Sequence, residues 1–279
     1  MDRAARRRTP SVHDRARTRG AFGLAALAGL ALGGALALQA SGWDLGALTR
    51  PRAFVEVAGQ AVAVPRAAET VGRLLPAVEA TTTGSYAFLH VTPDGGPVGY
   101  DPCRQVRYVV RPDHMPSSGQ ALIEDAVSIV SAATGLSFVS AGTTEEAPAV
   151  DRQLIQDRYG PGWAPVLIAW SDEQEMPELA GQVAGVGGSA AVPGSDGQGQ
   201  WLAAGRVVLD TVDLNELLAR PGGYERARAV LVHELSHVVG LDHVDDRGEL
   251  MAPITAARTD LGPGDREGLA LVGQVACEP

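Results

Sequence analysis

Residues 233–243 read His-Glu-Leu-Ser-His-Val-Val-Gly-Leu-Asp-His, which gathers three of the six histidines in this 279-residue chain. His233 and His237 stand four apart, so on a helix they share one face, one turn above the other. The flanking sequence supports that helix: residues 224–239 contain no proline or glycine, and Ala227, Val230, Leu231, Leu235, Val238 and Val239 recur at helical spacing. Pro221, Gly222 and Gly223 break the chain just before it, and Gly240 is a natural stop. A glycine there permits a left-handed turn that swings His243 back toward the first two histidines.

Three imidazoles at this spacing can hold one Zn2+ ion and leave one tetrahedral position open, which distinguishes a catalytic site from a closed structural one. Glu234 follows a ligand by one residue and points about a quarter-turn away, beside the open position. It is placed to take a proton from zinc-bound water and return it to a leaving amine, while the ion lowers the water's pKa to about 7. The alternative, a buried polar helix whose histidines bond only to backbone, carries a heavy desolvation cost.

The motif, followed by Leu250-Met251-Ala252-Pro253, resembles the metzincin zinc endopeptidases and within them the matrixin branch. The resemblance implies that His233, His237 and His243 bind zinc, that Glu234 is the general base and acid, that Met251 forms the methionine turn beneath the metal, and that Pro253 walls the S1′ pocket. Val244 departs from the small hydroxyl residue usual after the third histidine. Thr255 stands where animal matrixins have a tyrosine, so side-chain preference does not carry over. Residues 265–273, beginning at Asp265, resemble the final matrixin helix, and an acidic residue suits a helix start.

The implied fold is α+β: a zincin-like catalytic domain with a mixed, twisted five-stranded sheet, a zinc-binding helix and a C-terminal helix. The patterning agrees in order. Residues 105–111 read as a strand, 119–134 as an amphipathic helix, and 136–140, 166–170, 183–192 and 206–209 as strands. The continuous apolar run 166–170 suits a central strand. By the resemblance, 183–192 is the edge strand above the cleft, where substrate adds as a strand. Its Gly185, Gly187 and Gly188 permit close backbone approach.

The first 20 residues carry seven arginines against Asp2 and Asp14, and residues 21–40 follow without a charge. That length matches a transmembrane helix with a cytoplasmic basic head. A cleavable secretory signal, with Ala35-Leu36-Ala37 before the cut, is the alternative. Both put the zinc domain outside the cytoplasm. Residues 41–83 read as a linker, stalk or small prodomain, in which 54–64 alternates like a strand and 69–78 forms a short helix. Residues 84–279 are then the catalytic domain.

The chain's net charge of −10 includes a head of +5, so the remainder is strongly acidic, which argues against nucleic acid as a partner. Cys103 and Cys277 bracket the domain, and outside the cytoplasm a disulfide is the natural reading. The rival reading has Cys103 blocking zinc as a propeptide thiolate, but Asp101-Pro102-Cys103-Arg104 does not match that motif. The lone Asp196 in the glycine-rich loop 195–200 gives no motif for Ca2+.

The sequence therefore points to an extracytoplasmic zinc endopeptidase acting on protein or peptide substrates, tethered through 21–40 or secreted. A zinc amidase acting on cell-envelope amides and a non-catalytic surface module on the same fold are the alternatives. Oligomeric state is not readable from the sequence.

Overall fold

A computed structural model describes residues 52–279, apart from 67–69, 71 and 254–257. Residues 52–279 cluster as one compact unit. The expected membrane segment at 21–40 lies outside the described residues, and among those described no helix is long and apolar enough to cross a membrane.

The strands are β1 (Phe54–Val57), β2 (Gln60–Ala63), β3 (Ala87–Phe88), β4 (Val106–Val110), β5 (Phe138–Thr143), β6 (Val166–Ser171), β7 (Gly185–Pro193), β8 (Gln200–Asp210) and β9 (Leu241–Asp242). The helices are α1 (Gly119–Thr134), α2 (Thr211–Leu218), α3 (Gly223–Val239) and α4 (Pro263–Val272). Five strands form one mixed sheet in the order β5-β4-β6-β8-β7. All its pairings are parallel except β7 with β8, so β7 is an antiparallel edge strand.

Strand β6 lies at the sheet's centre and is buried along its whole length, as its unbroken apolar run requires. One face, carrying Tyr108, Val110, Ile168, Trp170, Val207 and Leu209, packs into the main core with α1 and α3. The opposite face presents Val109, Leu167 and Ala169, against which Tyr159 packs from the irregular segment between β5 and β6. That segment is held by a buried cluster. The Arg152 guanidinium meets both Glu146 carboxylate oxygens at 2.8 and 3.0 Å and also donates to the carbonyls of Ala204, Gly205 and Pro165.

Several boundaries differ from the sequence reading, for local reasons. β5 starts at Phe138, not 136, because Leu136 belongs to the end of α1. Its N–H donates to Thr134 Oγ1 and its carbonyl accepts from Ser131 Oγ, while Gly135 turns the chain at φ +70°. β8 begins at Gln200 rather than 206, since Gly194–Gly199 closes a hairpin onto β7 that the small residues Ala203–Gly205 disguise in the pattern. α2 was not anticipated. Asp210 caps it by accepting from the Asp213 amide at 2.8 Å, and only Leu214 is fully buried.

Residues 54–63 form a hairpin whose turn, Ala58-Gly59, has positive φ at both positions. The short helix expected at 69–78 is not present over its described part, 70 and 72–78. Instead that stretch begins a strap along α4. Arg73 donates to the carbonyl of Gly273 past the helix C-terminus, Gln274 donates to the carbonyl of Val78, and Thr82 donates to the carbonyl of Pro263 at the helix start. The strap then pairs as β3 with β9. Described residues before 84 are thus part of the same compact unit.

Cys103 and Cys277 form a disulfide across 174 residues of sequence, tying the chain just before β4 to the C-terminal tail. The tail is further held by Trp201, whose Nε1–H donates to the carbonyl of Ala276.

Candidate metal centre and cleft

α3 carries the first two histidines on the stripe that floors an open cleft, roofed on one side by β7. The helix ends at Gly240 with φ +121°, where an added Cβ would lie 2.8 Å from the carbonyl oxygen of Val98. The reversal at this glycine leads through β9 and brings His243 back over the helix. The Nε2 atoms of His233, His237 and His243 lie 3.1 Å from one another in all three pairs.

The contact between His233 and His237 is not a hydrogen bond. The Nδ1–H of His233 donates to the carbonyl of Leu250 and that of His237 to the carbonyl of Leu241, each at 2.8 Å. A carbonyl can only accept, so the proton of each of these two neutral rings sits on Nδ1 and their Nε2 lone pairs face each other without a donor between them. Burial, aided by the neighbouring imidazoles, holds the pKa values of His233 and His237 down to about 4, which keeps both rings neutral. Two neutral imidazoles anchored to backbone through Nδ1, with the Nε2 of His243 converging on them, are a donor set that a zinc ion takes. Tetrahedral ligation at about 2.0–2.1 Å calls for nitrogens about 3.3 Å apart, close to the triangle found. The residues present fit the ion.

Glu234 lies one residue along α3, buried to 7% exposure, and its carboxylate has no hydrogen-bond partner among the described residues. Burial pushes its pKa up to about 8. β7 packs directly over it: a Cβ on Gly187 would lie 2.2 Å from the Glu234 carbonyl oxygen, and one on Gly185 would lie 3.0 Å from its Cγ. The closeness that these glycines allow is therefore to α3. Gly188 meets only open space.

The turn after His243 is closed by the Val244 amide donating to the carbonyl of Met251 at 3.1 Å. Val244, which departs from the matrixin pattern, packs partly against the core. Met251 is 1% exposed and belongs to the main core with Leu235 and Val238. Pro253 lines the cleft, as do Leu250 and Ala252. Thr255 lies outside the described residues.

Two buried carboxylates that the sequence reading did not place at the site hold this turn. Asp265, in the first turn of α4, accepts from the backbone amides of Leu250 (2.5 Å), Met251 (3.1 Å) and Gly262 (2.6 Å). Glu249 accepts from the Asp265 amide at 3.1 Å. Asp265 thus fixes the peptide whose carbonyl orients His233. The available signal was its acidic helix start alone, which says nothing of a second partner 15 residues earlier.

Among the described residues, the only other metal-type cluster joins Asp101 to the two disulfide cysteines. Asp196 accepts from the amide of Gln198 in an ordinary loop turn, so nothing here marks a Ca2+ site.

Residues 170–271 match the family model described as Matrixin, so this part of the chain is similar to a family of zinc metalloproteases. No curated protein matches the chain.

Proposed function

We propose that the chain is a zinc-dependent endopeptidase working outside the cytoplasm, with His233, His237 and His243 holding the metal and Glu234 moving the protons. The observation that carries this reading is the triangle of converging Nε2 atoms beside a buried carboxylate with no hydrogen-bond partner among the described residues. When bound, the ion supplies Lewis acidity, drawing electron density from a carbonyl oxygen and easing the ionisation of water.

The chain's own residues supply the rest. The unpaired ladder of β7, above the cleft, offers an extended peptide a strand to pair with, which aligns its backbone across the floor formed by α3. The Glu234 carboxylate takes a proton from water as the water oxygen adds to the scissile carbonyl carbon. The same carboxyl then delivers that proton to the amide nitrogen as the C–N bond breaks. Burial favours the second of these roles, because a carboxyl with a raised pKa holds a proton long enough to donate it near neutral pH; the first role needs the ionised form. Met251 and Pro253 complete the methionine turn and the S1′ wall. The basic head and the uncharged run 21–40 support a membrane-tethered or secreted placement, and the Cys103–Cys277 disulfide agrees with an oxidising compartment.

The test is cleavage of a mixed peptide library by the full chain loaded with one equivalent of zinc, against the Glu234→Gln variant and a chelated control. Cleavage that disappears in both controls supports the proposal. If no peptide is cut and Glu234→Gln behaves as the parent, the domain is a binding or structural module. Release of amine from cell-wall amides without peptide cleavage would make it an amidase.

A further inference from the structure

The cleft over the metal centre, about 430 Å3, does not end at the histidines. It opens into a second recess of about 630 Å3 between α2 and the N-terminal half of α3, and Gln182, Ala184, Ala229, Val230 and Arg258 line both. His237, His233, Val230, Ala229 and Arg226 follow one another along a single stripe of α3, so the floor continues unbroken from the metal ligands into the recess. Ala184 and Ala229 flank the passage, and two such small side chains leave it open.

The charges in the recess are uneven in a specific way. Glu216 is paired with Arg220 at 3.6 Å. Asp213 sits in the first turn of α2, where the helix terminus favours it, while burial and then Asp210 and Glu216 raise its pKa above the usual carboxylate range. Arg226 and Arg258 have no carboxylate partner among the described residues; Arg258 Nη1 reaches only the carbonyls of Asp260 and Leu261, at 3.3 and 3.4 Å. Two unpaired guanidinium groups thus face a space that a side chain enters from the cleft.

We infer that this recess takes a carboxylate from the substrate, with Arg258 at the passage and Arg226 deeper setting the preference. The inference rests on the endopeptidase reading. An acidic side chain next to the cleaved bond fits it best, and a peptide's own terminal carboxylate is the other source of the same chemistry. A charge-assisted bond to these guanidinium groups, of which Arg226 is exposed and Arg258 half-buried, favours the acid over its amide isostere by up to roughly tenfold, and the preference weakens as salt rises.

The experiment measures kcat/KM of the zinc-loaded full chain on blocked peptides carrying Glu, Gln, Leu or Lys singly at each position flanking the cut. A parallel set carries a free or an amidated C-terminus. The expected result is one flanking position at which Glu exceeds Gln by roughly tenfold at low salt. Arg258→Glu should turn that preference toward Lys, and Arg226→Glu should reduce it, with both variants melting near the parent. A preference seen only with free C-termini assigns the recess to the terminal carboxylate. Equal or better cleavage of Leu peptides at every position, or an Arg258→Glu ratio unchanged from the parent, overturns the inference while leaving the peptidase standing. Loss of all cleavage by the parent, with Glu234→Gln no different, removes the peptidase reading and this one with it.

Discussion

Glu234 and Glu146 are buried to nearly the same degree, 7% and 5% exposed, on opposite faces of the sheet, yet their surroundings could hardly differ more. Burial disfavours the charge of both. Glu146 overcomes it by accepting from Arg152, from Gln156 Nε2 and from the Tyr159 hydroxyl, and its pKa ends below the ordinary range. Glu234 has no such donors, and its pKa rises to about 8. The same side chain, with similarly little exposed surface, is a brace in one place and, on the proposed function, a proton carrier in the other. What separates them is the supply of hydrogen-bond donors, together with the fuller enclosure of Glu234.

The comparison can be broken most sharply at the metal. Chelation, or His237→Ala, should abolish peptide cleavage, with zinc and not calcium restoring the chelated protein; residual activity in fully metal-free protein would break the assignment. Glu234→Gln comes next, with kcat/KM falling about a thousandfold while bound zinc, counted by elemental analysis, stays at one equivalent. A loss under tenfold would mean that the partnerless carboxylate is not the proton carrier.

On the bracing side, Glu146→Ala should cost about 3 kcal/mol in denaturant unfolding, because it strands a buried Arg152. Zinc content should be unchanged, since the cluster lies on the far face. Asp265→Asn should cost about 1–3 kcal/mol, because an amide replaces the carboxylate that accepts three backbone amides. Unlike Glu146→Ala, it should also weaken zinc binding through the Leu250 carbonyl that orients His233.

The smallest effect is one of pH. With its folded pKa lowered, Glu146 contributes stability that is complete above its unfolded value of about 4.5 and is lost as the pH falls through its folded value. Glu146→Gln should therefore flatten the acid limb of the stability curve below about pH 4.5; an unchanged slope would show that the brace does not depend on its charge.

The motif made the metal ligands legible because their spacing is local: four residues on a helix, then a glycine reversal. The central strand was legible for a similar reason, its apolar run being unbroken. What stayed hidden depends on contacts distant in sequence. Nothing within one turn of Asp265 says that it accepts from Leu250 and Met251. Nothing near Arg152 names the carbonyls of β8 that it reaches, 52 and 53 residues on. The glycines of β7 were visible, but the helix that they accommodate lies some 50 residues on. α2 went unread because only one of its eight residues is fully buried, too little to set a period.

The strap along α4 has a consequence for how the chain is made. Arg73 leaves the ribosome 200 residues before the Gly273 carbonyl it binds. Synthesis runs from the N-terminus, so the strap stays without its partner until α4 has been made. That helix also brings Asp265, which sets the turn holding His233, and the tail beyond it brings the cysteine that closes the disulfide. The turn that orients His233 therefore waits for α4, made well after the helix that carries the first two histidines.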